Sequence, residues 1–120
     1  MCAFTYPNYN NNSSFNRNLL LLSAWKMFFS RPYITTNPHK TVLYTGVTND
    51  LKTRMRQHYE NRGKPSTFAG KYYCYLLIYY ERYTDVNMAI EREKEIKDLS
   101  RAKKEALIAY DNPKWKTIIT

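Results

Sequence analysis

The run TVLYTGVTNDLKTRMRQH, from Thr41 to His58, changes texture within one short segment, and that change limits what the chain can build. Thr41 to Val47 is apolar, aromatic and β-branched, which suits a strand, and Gly46 marks its end. TNDL then offers a helix start, because Thr48, Asn49 or Asp50 can cap the exposed N–H groups of a first turn. The helix that follows carries Leu51, Met55, His58 and Arg62 along one stripe, with Arg54 alongside.

The flanking segments supply the partners. MFFSRPYITT reads as a strand, although Pro32 inside it removes a backbone donor and points to an edge or a bulge. NPHK has turn chemistry, so the two strands can form a hairpin. NRGKPSTFAGK, with two glycines and a proline, is expected to be a loop. Tyr72 to Glu81 is apolar and aromatic enough for a well-buried third strand. Asp85 can cap a second helix, VNMAIEREKEIKDL, and Ser100 a third, RAKKEALIAY, which stops before DNPKW. The order is ββαβαα: an α+β domain with a three-stranded antiparallel or mixed sheet flanked by about three helices.

The N-terminal part has a different texture. MCAFTYPNYNNNSSFNRN is rich in Asn and Ser and has no sustained period, as in a disordered or loosely attached tail. Leu19 to Lys26 could form a short helix. Leu19 to Phe29 is about half the ~20 residues of a membrane span, and Lys26 interrupts it. No small-residue cleavage site follows, so a signal peptide is not expected. We expect residues 1–26 to be an extension, upstream of a natural start at Met27, and residues 27–120 to be the domain.

Nineteen Lys and Arg against ten Asp and Glu give a formal charge of +9 and a pI near 9.6. Such a surface attracts polyanions, of which nucleic acid and anionic membrane are the abundant kinds. The absence of a spanning segment argues for a soluble protein without a membrane partner. Cys2 and Cys74 lie near no second cysteine or His at metal spacing, which excludes a structural zinc site. Two free thiols fit a reducing cytoplasm.

Plotted at about 100° per residue, the second helix places Val86, Ala89, Ile90 and Ile96 on one side, with Glu93 among them. Glu91, Glu95 and Asp98 fall on the solvated face. A carboxylate at a core position must be paired or bind a cation, and a salt bridge to a nearby Lys or Arg is the plain alternative to a functional role. On the first helix, Arg54 and His58 are i,i+4 neighbours bordering the apolar stripe. With strand-end Tyr44 they fit phosphodiester hydrolysis. That reaction needs a carboxylate to hold a metal, an Arg to grip a nonbridging oxygen, and a group to orient or deprotonate water.

The segments YITTNPHKTVLYTGVTNDLKTRMRQH, YYERYTDVNMAIEREKEIK, KKEALI and NPKW resemble the GIY-YIG nuclease superfamily, in particular small stand-alone bacterial proteins related to the N-terminal nuclease domain of the excinuclease UvrC. The resemblance runs from about Met27 to Trp115. It implies a DNA endonuclease using Mg2+ or Mn2+, with a role in DNA repair or recombination. Tyr44-Thr45-Gly46 stands at the YIG triplet, Arg54 at the catalytic arginine, His58 at the helix histidine and Glu93 at the metal-binding glutamate. The GIY position reads Arg31-Pro32-Tyr33, keeping the final tyrosine as a further catalytic candidate. Gly46, Lys52, Arg56 and Lys71 are the candidates for contacting substrate. Pro32 at the first triplet also leaves room for a nucleic-acid-binding module that keeps the fold and cleaves weakly or not at all. Oligomeric state is open.

Overall fold

A computed structural model describes residues 29–119. The short helix expected at Leu19 to Lys26 and the extension over residues 1–26 lie outside the described residues. The order is β1 (Arg31–Thr36), β2 (Leu43–Thr48), α1 (Leu51–Glu60), α2 (Phe68–Lys71), β3 (Leu76–Tyr80), α3 (Val86–Asp98) and α4 (Arg101–Asp111). The sheet is antiparallel throughout, in the order β2-β1-β3.

Side chains of a strand alternate between faces, so the sheet divides its residues between two cores. Tyr33 and Tyr44 pack with Leu51, Ala69, Cys74 and Leu77 on one face. Ile34, Ile78 and Tyr79 pack with Ile96 and Ile108 on the other. Leu51 thus ties α1 to the tyrosine face, and Ile96 and Ile108 tie α3 and α4 to the isoleucine face.

All three expected caps are made. Asp50 accepts from Thr53 N–H, Asp85 from Asn87 and Met88 N–H, and Ser100 from Lys103 N–H. Each satisfies donors that a helix start leaves open.

Pro32 does not mark an edge. It lies in β1, the central strand, opposite Val47. Its carbonyl accepts from Glu81 N–H at 2.9 Å, so the N–H it lacks would also face β3, where that strand has just ended at Tyr80. The missing bond falls between the end of β3 and the isolated bridge of Ser30 to Tyr83. The β1–β3 irregularity comes further on, between Ile34 and Thr35, where Ile34 pairs Tyr79 and Thr35 pairs Leu77.

Two further expectations need correction. The stretch read as a loop contains α2, capped by Thr67, whose side chain accepts from Gly70 N–H. A Cβ on Gly70 would come within 2.5 Å of Lys64 O and 2.7 Å of Asn61 O, so α2 closes tightly on the end of α1. On α1 itself the buried residues are Leu51, Arg54 and His58. Arg54 therefore lies within the buried stripe rather than beside it. Arg62 follows the helix, exposed, with its guanidinium 3.8 Å from the Tyr59 ring centre.

Candidate active site

Register brings the first contact about. Tyr33 of β1 lies directly opposite Gly46 of β2, and its ring passes over that glycine. A Cβ at Gly46 would stand 2.6 Å from Tyr33 Oη and 2.7 Å from Cζ, so the close approach requires glycine. Freed to lie flat across β2, Tyr33 reaches α1, where its Oη is 2.8 Å from His58 Nε2.

Tyr44 completes the cluster. Its ring centre is 5.4 Å from that of His58 and 6.3 Å from that of Tyr33. Phe68 of α2 stacks on Tyr44 with ring centres 6.3 Å apart. Arg54, one helical turn before His58, is buried with them. Burial and the Arg54 charge together push the His58 pKa down from 6.5 to about 4, so the ring is neutral at physiological pH. A neutral imidazole carries one N–H, and Nε2 either accepts the Tyr33 hydroxyl proton or donates to its oxygen.

Glu93 comes from α3, in the buried stripe Ala89, Glu93 and Ile96. Its side chain is 1% exposed, and its Oε2 lies 3.5 Å from Lys97 Nζ. The plain salt bridge anticipated from sequence is thus present, at a loose distance and to a lysine that is itself 41% exposed. Glu91, Glu95 and Asp98 are exposed, as the wheel requires. Among the described residues no group of three or more His, Cys, Asp or Glu side chains could cage an ion. Glu93 is the carboxylate here that could hold a divalent ion, a role in which water and substrate would have to supply the remaining ligands.

The remaining substrate candidates lie outside the buried cluster. Lys52 and Arg56 are exposed on α1, and Lys71 is exposed at the end of α2, its Nζ 5.3 Å from the Tyr72 ring centre. Cys74 is a free, buried thiol whose pKa burial pushes up to about 11, which makes it unreactive.

One cluster escaped the sequence reading. The Glu81 carboxylate receives the Tyr79 and Tyr83 hydroxyls and a forked pair from Arg92 Nε and Nη2. Arg92 Nη1 also reaches Glu95 at 3.2 Å. These partners hold Glu81 below the usual carboxylate range despite partial burial. The cluster fastens α3 to the end of β3. The only sequence signal was a glutamate directly after an aromatic strand, which does not name its partner.

A family model described as the GIY-YIG catalytic domain matches residues 32–106, more than half of the chain. The chain belongs to the GIY-YIG family. A UPF0213 protein of Natronomonas pharaonis is 39% identical over 67 residues, covering 56% of this chain and 76% of that protein. A UPF0213 protein of Staphylococcus aureus is 38% identical over 66 residues, covering 55% of this chain and 78% of its own. The solution NMR structure of a UPF0213 protein from Bacillus halodurans has a TM-score of 0.47 and 26% identity, covering 72% of this chain and 89% of that one. The names of these relatives state no activity. The matched GIY-YIG region includes Tyr33, Tyr44, Gly46, Arg54, His58 and Glu93. No helix among the described residues is long and apolar enough to cross a membrane.

Proposed function

We propose that this GIY-YIG chain is a metal-dependent endonuclease that hydrolyses phosphodiester bonds in DNA. The observation that carries the reading is the Tyr33 to His58 hydrogen bond of 2.8 Å, made inside a cluster that also holds Tyr44 and Arg54. Two tyrosines, a neutral histidine and an arginine are the groups needed to orient water and bind a phosphate.

Arg54 grips a nonbridging oxygen of the phosphate. Glu93 would hold Mg2+ or Mn2+, and the ion, when bound, would neutralise charge on the phosphate. Tyr44 positions or deprotonates the attacking water. Tyr33 is oriented by His58, and the neutral ring can take a proton that Tyr33 passes on. Burial is the larger cause of the low His58 pKa and the Arg54 charge the smaller, and a phosphate beside Arg54 would offset only the second. The basic surface favours DNA as the polyanion, and repair or recombination is the setting the family resemblance suggests.

A second reading is a nucleic-acid-binding module with weak or absent cleavage. It is favoured by the burial of the candidate residues: Tyr33, Tyr44, Arg54 and His58 are 0%, 3%, 5% and 7% exposed, and Glu93, which comes from α3, is 1% exposed.

Incubation with single-stranded, duplex and branched DNA in Mg2+, resolved on denaturing gels, separates the two. Cleavage by the wild type that Arg54→Ala abolishes supports the enzyme. Salt-sensitive binding without new products supports the module and contradicts the enzyme.

A further inference from the structure

The sheet row that holds Tyr33 continues onto β3. Tyr33 pairs with Gly46 on one side and with Tyr80 on the other, and residues directly opposite in antiparallel strands share a face. Tyr80 thus lies beside Tyr33, yet it is 40% exposed where Tyr33 is fully buried. It borders an open cleft of about 460 Å3 that also involves Arg31, Asn49, Lys52 and Arg82. Leu51 and Ile118 pack against the tyrosine core and also line this cleft, so its floor is the edge of the candidate active site.

The lining is cationic and aromatic together. Arg31, Lys52 and Arg82 face one carboxylate, Asp50, which is already engaged by Thr53 N–H and the Thr53 hydroxyl. The guanidinium carbons of Arg31 and Arg82 lie 5.6 Å and 4.4 Å from the Phe29 ring centre. Both guanidinium groups therefore lie near the Phe29 ring, which also lines the cleft. Asn49 Nδ2 is buried there without a hydrogen-bond partner among the described residues. A cleft of this size with three cations, an amide donor and an exposed ring suits a ligand that is part phosphate and part flat aromatic.

We propose that this cleft receives an unstacked nucleotide flanking the phosphate to be cut, with its phosphate held by Arg31, Lys52 and Arg82 and its base laid on Tyr80. The proposal rests on the nuclease reading for its substrate and adds a preference for single-stranded segments. A base paired and stacked in a duplex cannot present its face to Tyr80 without first leaving the stack.

Binding without cleavage tests it. Fluorescence anisotropy in EDTA compares a short labelled oligothymidine with a hairpin duplex, for the wild type, Arg82→Gln, Tyr80→Ala and Tyr80→Phe. Tyr80→Ala is expected to weaken single-strand binding about tenfold with little change for the duplex, and Tyr80→Phe to restore it. Arg82→Gln should lower the single-strand salt slope by about 0.7. Wild-type affinity in both Tyr80→Ala and Arg82→Gln overturns the cleft, as does equal weakening of both DNA forms by Tyr80→Ala, or no single-strand binding by the wild type. If these expected changes appear in a protein that never cuts DNA, the cleft stands and the nuclease reading fails. If the protein cuts but the variants bind normally, the reverse holds.

Discussion

At the residue scale, Gly46 and His58 show how little freedom the cluster has. Tyr33 is fully buried and its hydroxyl is bonded to His58, so it cannot swing away from a methyl group placed at Gly46. Gly46→Ala should cost about 1–3 kcal/mol by overpacking, read as a lower denaturant midpoint. It should also reduce DNA cleavage at temperatures where the variant is still folded. His58 gives a pH signature. Its pKa is about 4 when folded against 6.5 unfolded, so between those values the unfolded chain binds a proton that the folded chain refuses. Stability is therefore complete above about pH 6.5 and falls as the pH drops towards 4. The loss from this group is roughly 2 kcal/mol between pH 7 and pH 5. Urea denaturation at those two pH values should show it in the wild type, and His58→Gln should remove most of it. His58 and Glu93 were legible in the sequence because helical spacing turns them inward, whereas Arg54 was read at the border of the stripe that in fact buries it. The Gly46 contact was not legible, because it depends on which residue of another strand lies opposite.

At the element scale, β1 carries a proline in the middle of the sheet, and the position of the gap decides its effect. The absent N–H would face the end of β3, whereas Tyr33 is held from the opposite side by Gly46 and His58. A recovered bond in Pro32→Val gains about 0.5–1.5 kcal/mol, and the freer unfolded chain offsets about 0.4–1 kcal/mol of that. Stability and cleavage should both stay close to wild type. A large rise in cleavage for Pro32→Val would show that the altered first triplet limits the site. Sequence pointed to an edge or a bulge at Pro32 because local rules exclude proline from regular central strands, and only the pairing of β3 reveals that β1 is flanked on both sides. The helix α2 was missed for a related reason. Its four residues carry no period, and its stability comes from the Thr67 cap and the backbone contacts of Gly70. The Glu81 cluster is a test of how α3 is fastened. Arg92→Ala leaves a carboxylate that is 18% exposed with only two hydroxyl partners, and should cost about 2–3 kcal/mol in thermal or chemical unfolding.

At the scale of the whole molecule, the sheet separates two cores. One face carries the tyrosines, α1 and α2, and the other carries the isoleucine core under α3 and α4. The ββαβαα order was readable because each helix had its cap and each strand its composition. Lys52 was a candidate from sequence, but the cleft beside Tyr80 was not readable, because Arg31, the Asn49–Lys52 turn and Arg82 come from three separate segments that only the fold brings together. A formal charge of +9 should make DNA affinity fall steeply with salt, and a flat dependence would place the partner elsewhere. The central claim is that Glu93 and a divalent ion together make this domain a nuclease. It is tested most directly by titrating Mg2+ into cleavage reactions of the wild type and Glu93→Gln, both shown to be folded. The expected result is saturable, EDTA-sensitive strand cleavage by the wild type and a loss of at least about a hundredfold in Glu93→Gln, since even the groups that hydrogen-bond a metal ligand are worth about 10–100-fold and a direct ligand should be worth more. Equal rates for the two proteins, or wild-type cleavage that persists in EDTA, would contradict it.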